Sequence, residues 1–419
     1  MSSTSGSDAT MALIDARNAA AWRVVGGIPL VTRLVRSLEL AGVSSIVIAA
    51  DGSRSPAEVR ARDSSTRIVC AELPLDAPLA QALPEGDRGS SVFVADATLV
   101  VDRRLIAALR DAKGGTVVSP VPVDAAGSER IRLARLAPSE LAFFGGPREA
   151  ATEAALLAPA SIDTWYEEMR EHRAILLLDA STPERAAAVD ETLVLETQKG
   201  VMDAPARWVD PFFENAMLRV LAPTRVTPNM VSLGGTAIGI AAALLLWQGL
   251  VALALPLMLL VGWLDGVDGK LARLRLQYTR FGAGESYLDF FYENLWWFAL
   301  TAHLYPSHGD AALVAGGALV LGNLCAEAML TLGFAWLKTS LDLLTPFDQR
   351  FRLVAGRRNV YVWILVLTTL AGSLFTGFVI CAAWAVVTGL EHAARLLMAS
   401  NPRWCPNSAP DRTRPTRRE

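Results

Sequence analysis

The chain has 419 residues, enough for two or three ordinary domains, with 52% apolar and only 19% charged residues and a mean hydropathy of +0.33. That balance excludes a largely disordered chain and departs from a wholly soluble one, which runs nearer a quarter charged. A net charge of −3 gives no basic field for nucleic acid, and four cysteines, two of them (Cys325 and Cys381) in apolar runs, exclude a disulfide scaffold.

Character changes along the chain. Met1 to Thr10 is Ser- and Gly-rich, without a basic start or an apolar core, so no signal peptide is expected there and residues 1–10 read as a disordered tail. Residues 11–199 read as a cytosolic domain of alternating strands and helices. The strand-length apolar runs are Ser45–Ala50, Ile68–Cys70, Ser91–Ala95 and Ala174–Leu178, ending in Asp or Gly signals at Asp51-Gly52, Asp96 and Asp179. From Pro29 to Ala41, Leu30, Leu34, Val35 and Leu38 recur at helical spacing, and Gly42 stops the helix. Such alternation predicts a mostly parallel α/β sandwich.

Residues 200–226 form a connector. Within it, Asp210-Pro211 reads as an N-cap followed by proline at the first helical position. The helix it opens carries Phe212, Phe213, Met217, Val220 and Leu221, with Arg207 and Arg219 alongside, and reads equally as an interfacial membrane helix or a packed linker.

Residues 227–400 hold six apolar segments, near 229–250, 251–264, 287–304, 311–336, 360–374 and 375–398. A span needs roughly 20 residues, so the second and fifth must borrow from their flanks. Lys270, Arg273, Arg275 and Arg280 follow segment two; Lys338, Arg350, Arg352, Arg357 and Arg358 follow segment four. Arg403 to Arg418 follow segment six, in a basic tail at 401–419. The alternate loops carry no Lys or Arg, which predicts six spans in the cell membrane with both termini cytosolic.

At the end of segment two stands Asp265-Gly266-Val267-Asp268-Gly269-Lys270-Leu271-Ala272-Arg273, followed by Gly282, Gly284, Glu285, Asp289 and Glu293. Asp265 and Asp268 are three apart, and Glu285, Asp289 and Glu293 are four apart, so each set shares a helix face. Oxygen-only ligands of this density suit a hard cation, Mg²⁺ or Mn²⁺, whereas zinc would want His or Cys. One or two such ions could neutralise a pyrophosphate-linked substrate while orienting an attacking hydroxyl. Gly266 and Gly269 would leave room for a phosphate, Lys270 and Arg273 would supply positive charge, and a spare carboxylate could take the hydroxyl proton. Solvated charges at the end of a span are the plainer alternative for each of these residues.

Asp-x2-Asp-Gly-x2-Ala-Arg, then Gly and two acids four apart, resembles the signature of the CDP-alcohol phosphotransferase family. The resemblance implies a six-helix all-α membrane domain that displaces CMP from a CDP-linked alcohol with a second alcohol. It implies metal-binding acids at Asp265, Asp268 and Asp289 holding two ions, with Glu293, a fourth acid of the set, as base. The family has Asp at the last position, and Glu285 with Asp289 is an alternative register. By the same resemblance CDP would lie near Gly269, Ala272, Arg273, Gly282 and Asn229, the last in Thr227-Pro228-Asn229. Arg357 and Arg358 would bind an acceptor phosphate, with membrane anchoring as the alternative. A CDP-alcohol donor, an alcohol or inositol-phosphate acceptor, membrane lipid and a second copy of the chain are the expected partners.

The first half resembles sugar-nucleotide nucleotidyltransferases of Rossmann-type α/β fold, in particular the cytidylyltransferase half of fused inositol-phosphate enzymes. The resemblance rests on Val25-Gly26-Gly27-Ile28-Pro29-Leu30, Val94-Ala95-Asp96, Asp179-Ala180-Ser181-Thr182-Pro183-Glu184 and Lys199-Gly200-Val201-Met202-Asp203. Nucleotidyl transfer needs a Gly-rich loop to cradle the triphosphate. Here Asp15 to Arg23 has no glycine, and Ser181 replaces the second metal Asp of the closing motif, so this half is expected to have lost its activity. Glu327 and Asn323 lie deep in segment four, as a functional site or as interhelical hydrogen bonding. His303 and His308 are expected in an outer loop, and Trp296 and Trp297 in packing. A catalytically reduced membrane scaffold is the alternative to an enzyme.

Overall fold

The computed structural model describes residues 11–52, 59, 66–84, 91–112, 116–119, 121–122, 129–151 and 154–399, apart from the side chains of 280–286. The two expected tails lie outside the described residues. Two compact units are present. The first comprises Met1–Thr164, Arg173–Glu196 and Leu274–Gln277; the second comprises Trp165–His172, Thr197–Arg273 and Tyr278–Glu419.

The first unit is built on a seven-stranded sheet in the order Ala155–Leu156, Val117–Val118, Leu133–Leu136, Val92–Asp96, Met11–Asp15, Ser45–Ala50, Arg67–Glu72. Leu133–Leu136 runs antiparallel to both neighbours and the remaining pairs are parallel. Strands buried on both faces become continuous apolar runs, and Leu13, Ile14, Ile46, Ile48, Phe93 and Val94 are fully buried. The strand at Met11–Asp15 is central and was not among the expected runs. The expected strand near 174–178 forms at Leu177–Asp179 and pairs antiparallel with Leu99–Val101, outside the main sheet.

Helix α1 spans Leu30–Leu40 and buries the predicted stripe of Leu30, Leu34, Val35 and Leu38, together with Val31. A hairpin of Val24–Val25 and Ile28–Pro29 precedes it, turning at Gly26 and Gly27 with φ of 60° and 78°, a conformation that costs glycine least. Helix α2, Arg103–Asp111, is capped by Asp102, and α3, Pro183–Leu195, by Thr182.

The second unit is helical: α4 Ala204–Trp208, α5 Asp210–Leu221, α6 Pro228–Trp247, α7 Val251–Leu274, α8 Arg280–His308, α9 Asp310–Leu337, α10 Pro346–Phe351, α11 Arg358–Leu370 and α12 Leu374–Ala399. Trp296, Trp297, Leu300, Tyr361, Phe378 and Cys381 sit in its apolar core. The six apolar segments thus correspond to α6–α9, α11 and α12. Among the described residues, α6, α7, α9 and α12 are long and apolar enough to cross a membrane. Helix α11 has 13 residues, ~20 Å at 1.5 Å per residue, against a hydrocarbon core of ~30 Å. Helix α8 is long enough at 29 residues but carries the acidic stripe. His303 and His308 stand on α8 itself rather than in a loop, with His308 stacked on Phe375 at 3.7 Å.

Candidate active site

Helix α7 runs without interruption from its apolar start through the whole Asp265–Arg273 motif. The motif is therefore the last turns of a long helix, and its side chains leave at 100° per residue. Asp265 and Asp268 point away from the stripe formed by Trp263, Gly266 and Lys270. Helix α8 carries Asp289 and Glu293 one turn apart, with Tyr292 between them.

These acids meet at a cation supplied by the chain. Arg358, the first residue of α11, places Nη2 at 2.5 Å from Asp265 Oδ2, Nε at 3.3 Å from Glu293 Oε1 and Nη1 at 3.7 Å from Asp289 Oδ1. Its Nη1 also donates to the Tyr292 hydroxyl, which in turn donates to Asp289 Oδ1 at 2.8 Å. The fork geometry of a guanidinium lets one side chain address three carboxylates from two helices. Asp268, only 4% exposed, accepts instead from Ser232 Oγ of α6 at 2.8 Å.

The structure thus brings Asp265, Asp289 and Glu293 to one point and turns Asp268 to α6. Gly282 and Glu285 lie in the first turns of α8, outside the residues whose side chains are described. Among the described residues, no three acidic side chains are grouped as a ready metal site. The donor chemistry nevertheless fits a hard cation: all four acids offer oxygen alone, and the converging three already hold one positive group. Arg358 therefore faces carboxylates rather than standing free for a phosphate. Arg357 lies 3.6 Å from Asp342 and 3.8 Å from Glu327, while Arg352 bonds Asp342 at 3.1 Å. Burial alone would raise the Asp342 carboxyl, but the charges of Arg352 and Arg357 hold it below the usual range.

The remaining predicted residues are placed as follows. Asn229 accepts from Thr279 Oγ1 at 2.8 Å, tying the start of α6 to the loop after α7. Arg273 donates to the Thr197 carbonyl at 2.8 Å, and a side chain at Gly269 would press on the Arg273 guanidinium. Ala272 is half-buried on the same helix. Gly266 does not leave a vacancy for phosphate, because the Glu214 carboxylate fills the space where a Cβ would stand. Asn323 accepts from the Tyr361 hydroxyl at 2.9 Å, and Trp296 donates to the Gly239 carbonyl at 2.7 Å from a fully buried position.

Sequence reasoning missed Glu214, Ser232, Tyr292 and Lys199 and misread Asp210. Asp210 is not a cap: it lies within α5 and accepts from Trp263 Nε1 at 3.1 Å and Asn359 Nδ2 at 3.3 Å. Burial and the neighbouring Glu214 push its carboxyl up to about 7. Burial also raises Glu214, against the pull of Lys270. The Lys199 ammonium is lowered to about 8, first by burial and then by Arg273 and Arg170, with Asp265 opposing. The available signal was the spacing of Asp210, Glu214 and Leu218, a buried stripe four residues apart on a helix whose other face is apolar.

In the first unit, Asp96 and Asp179 end their strands at the Arg132 guanidinium, pairing with Nε at 2.9 Å and Nη2 at 3.0 Å. Ser181 Oγ donates to Asp179 at 3.0 Å, and Arg185 closes on the same carboxylate. Arg17 pairs with Asp15 at 2.8 Å and donates to the Ala77 carbonyl at 2.7 Å. The positions that the resemblance marks for metal are thus compensated by arginine.

Residues 225–389 match the family model described as CDP-alcohol phosphatidyltransferase, an interval that runs from before α6 into α12. Among solved structures, the chain is similar to Mycobacterium tuberculosis phosphatidylinositol phosphate synthase with CDP-DAG bound, at 19% identity, covering 45% of this chain and 94% of that one, with a TM-score of 0.35. It is also similar to a Bacillus anthracis protein assigned as a glucose-1-phosphate thymidylyltransferase, in complex with a sucrose, at 11% identity, covering 44% and 95%, with a TM-score of 0.32. No curated protein matches the chain.

Proposed function

We propose that the second unit is a membrane phosphotransferase that moves a phospho-alcohol group from a CDP-alcohol to an acceptor hydroxyl and releases CMP. The observation that carries this reading is the meeting of Asp265, Asp289 and Glu293 from two helices at one cationic group, within an interval matched by the family model.

Asp265, Asp268, Asp289 and Glu293 would hold Mg²⁺ or Mn²⁺, two ions, whose chemistry is to neutralise pyrophosphate oxygens and orient the two substrates. The chain's own groups do the rest. Ser232 fixes the Asp268 carboxylate and Tyr292 fixes that of Asp289, so neither must reorganise when charge develops. Arg273, Gly269, Ala272 and Asn229 bind the CDP portion, and Arg357 receives an acceptor phosphate. The acceptor oxygen forms a bond to the phosphorus that bears the donor alcohol, and its proton passes to Glu293. The bond from that phosphorus to the CMP oxygen breaks, and CMP leaves with the electron pair.

In this reading α6–α9, α11 and α12 form six spans, with α11 extended by its flanks and both termini cytosolic in the cell membrane. The product is a phospholipid or an inositol-phosphate diester, and the functional molecule is a homodimer. The first unit is a nucleotidyltransferase-like scaffold that has lost cytidylyl transfer, the reading that Arg132 between Asp96 and Asp179 favours. A second reading, a catalytically reduced membrane scaffold, draws on Arg358 already neutralising the acids.

The test is CMP release by the purified full chain in lipid nanodiscs with Mg²⁺ or Mn²⁺. Donors are CDP-diacylglycerol and CDP-inositol, and acceptors include inositol phosphate, with products resolved by mass. Release that Asp268→Ala abolishes is expected. No release with any pair gives the scaffold reading the field.

A further inference from the structure

Helix α5 is inside out. Phe212 is 77% exposed and Val220 69%, whereas Asp210 and Glu214 are each 2% exposed. A helix that buries carboxylates and shows its aromatic side needs strong partners within, because an unpaired buried charge is strongly destabilising.

The partners are specific. Glu214 Oε2 pairs with Lys270 Nζ at 2.9 Å, and the same ammonium donates to Asn215 Oδ1 at 2.7 Å. The Glu214 carboxylate reaches this place over Gly266, where any Cβ would collide with Oε1. One turn earlier, Asp210 accepts from Trp263 of α7 and Asn359 of α11, and Phe213 stacks on Trp263 at 4.0 Å. On α7, Trp263, Gly266 and Lys270 are spaced i, i+3, i+7 and form one stripe. Asp265 and Asp268 leave from the opposite side, about 170° away at 100° per residue. On α11, Asn359 adjoins Arg358, the residue that gathers Asp265, Asp289 and Glu293.

We infer that Asp210 and Glu214 are positioning residues: α5 grips the back of α7 and the start of α11, and so sets the rotation at which Asp265, Asp268 and Arg358 face the reaction. The role rests on the transferase reading for its catalytic consequence, but not for its geometric one. A rotation of α7 by 20° would carry a carboxylate oxygen ~5 Å from the helix axis through about 2 Å, and catalytic constellations tolerate about 0.5 Å.

The experiment uses the full chain in nanodiscs, with Asp210→Leu, Asp210→Asn, Glu214→Gln and Gly266→Ala. It reads kcat and KM for CMP release separately, Mn²⁺ affinity by electron paramagnetic resonance, and thermal unfolding. Asp210→Leu removes the acceptor from Trp263 and Asn359 without leaving a charge unpaired; Asp210→Asn keeps an acceptor oxygen for Trp263 and is the variant least prone to misfold. Expected are a 10- to 100-fold fall in kcat for Asp210→Leu, Glu214→Gln and Gly266→Ala, donor KM within threefold, at least fivefold weaker Mn²⁺ binding, and recovery of most of the kcat in Asp210→Asn. Folded variants with kcat and Mn²⁺ affinity within twofold of the parent overturn the inference, as does an Asp210→Asn that is no better than Asp210→Leu. A parent that binds Mn²⁺ but releases no CMP sinks the transferase reading and leaves the Mn²⁺ affinities to decide the positioning role. A parent that does neither sinks both.

Discussion

Arg358, at the start of α11, meets Asp265, fourteen residues after the start of α7, at 2.5 Å, and the same guanidinium reaches Glu293 at 3.3 Å. Three helices thereby share one charge centre. Arg358→Ala should abolish CMP release, at least 100-fold, and Arg358→Lys should restore little, since a point charge cannot address three carboxylates at once. Breaking a fully buried pair costs ~3–5 kcal/mol; with Asp265 39% exposed, a loss of about 2 kcal/mol is expected, read as a lower unfolding temperature in nanodiscs. An Arg358→Lys protein with wild-type turnover would refute the shared-centre role.

Asp268 and Ser232 should separate ligand from support. Asp268→Asn is expected to remove activity, whereas Ser232→Ala, which deletes the 2.8 Å bond and the hydroxyl's 3.2 Å contact with the Pro228 carbonyl, should cost three- to tenfold in kcat. Equal losses would mean that the hydroxyl does more than orient its partner.

Asp210 predicts a pH dependence of stability. Its folded carboxyl stands at about 7, above the unfolded value of about 3.9, because burial and Glu214 disfavour the charge. Between those values the folded state binds more protons than the unfolded one, so stability falls as pH rises from 4 to 7 and levels off above. The unfolding temperature should drop between pH 5 and 7.5, and Asp210→Asn should flatten that slope. An unchanged slope in Asp210→Asn would assign the dependence to another group.

Lys199 acts in the opposite sense on substrate. Its ammonium is depressed to about 8 by burial, Arg273 and Arg170, so positive charge near Asp265 is lost above that pH. Donor KM should rise above pH 8, and Lys199→Met should show the raised KM at every pH. Stability itself should rise as pH climbs from 8 toward the unfolded value of about 10.4, since the folded state sheds its proton first.

The first unit offers a reversal of sign. Burial raises Asp179, but Arg132 and Ser181 more than offset it and hold the carboxyl below the usual aspartate range. That stabilisation is present above the unfolded value of about 3.9 and is lost as pH falls through the lower folded value. The protection of the amides of Val92–Asp96 and Leu177–Asp179 in the full chain, with exchange corrected for the intrinsic rate at each pH, should therefore fall on acidification. In Arg132→Met, Ser181 and Arg185 still hold the Asp179 carboxylate, so the loss of protection on acidification should be smaller than in the parent chain. An equal loss in both proteins would remove Arg132 from this account.

Local sequence determined the elements whose cause is local. The α1 stripe, the apolar lengths of α6, α9 and α12, and the spacing of Asp265 with Asp268 and of Asp289 with Glu293 follow from periodicity alone, because neighbours along a helix are neighbours in space. Tertiary structure decided what periodicity cannot reach. The Met11–Asp15 strand is central because it pairs on both sides, and Arg358 serves the carboxylates because α11 begins where α7 and α8 present them. Asp210 looked like a cap because Asp-Pro opens helices; it became an acceptor for Trp263 and Asn359, residues 53 and 149 positions away. Charge pairing over such separations depends on which helices pack together, and a pattern read along one segment holds no term for its partner.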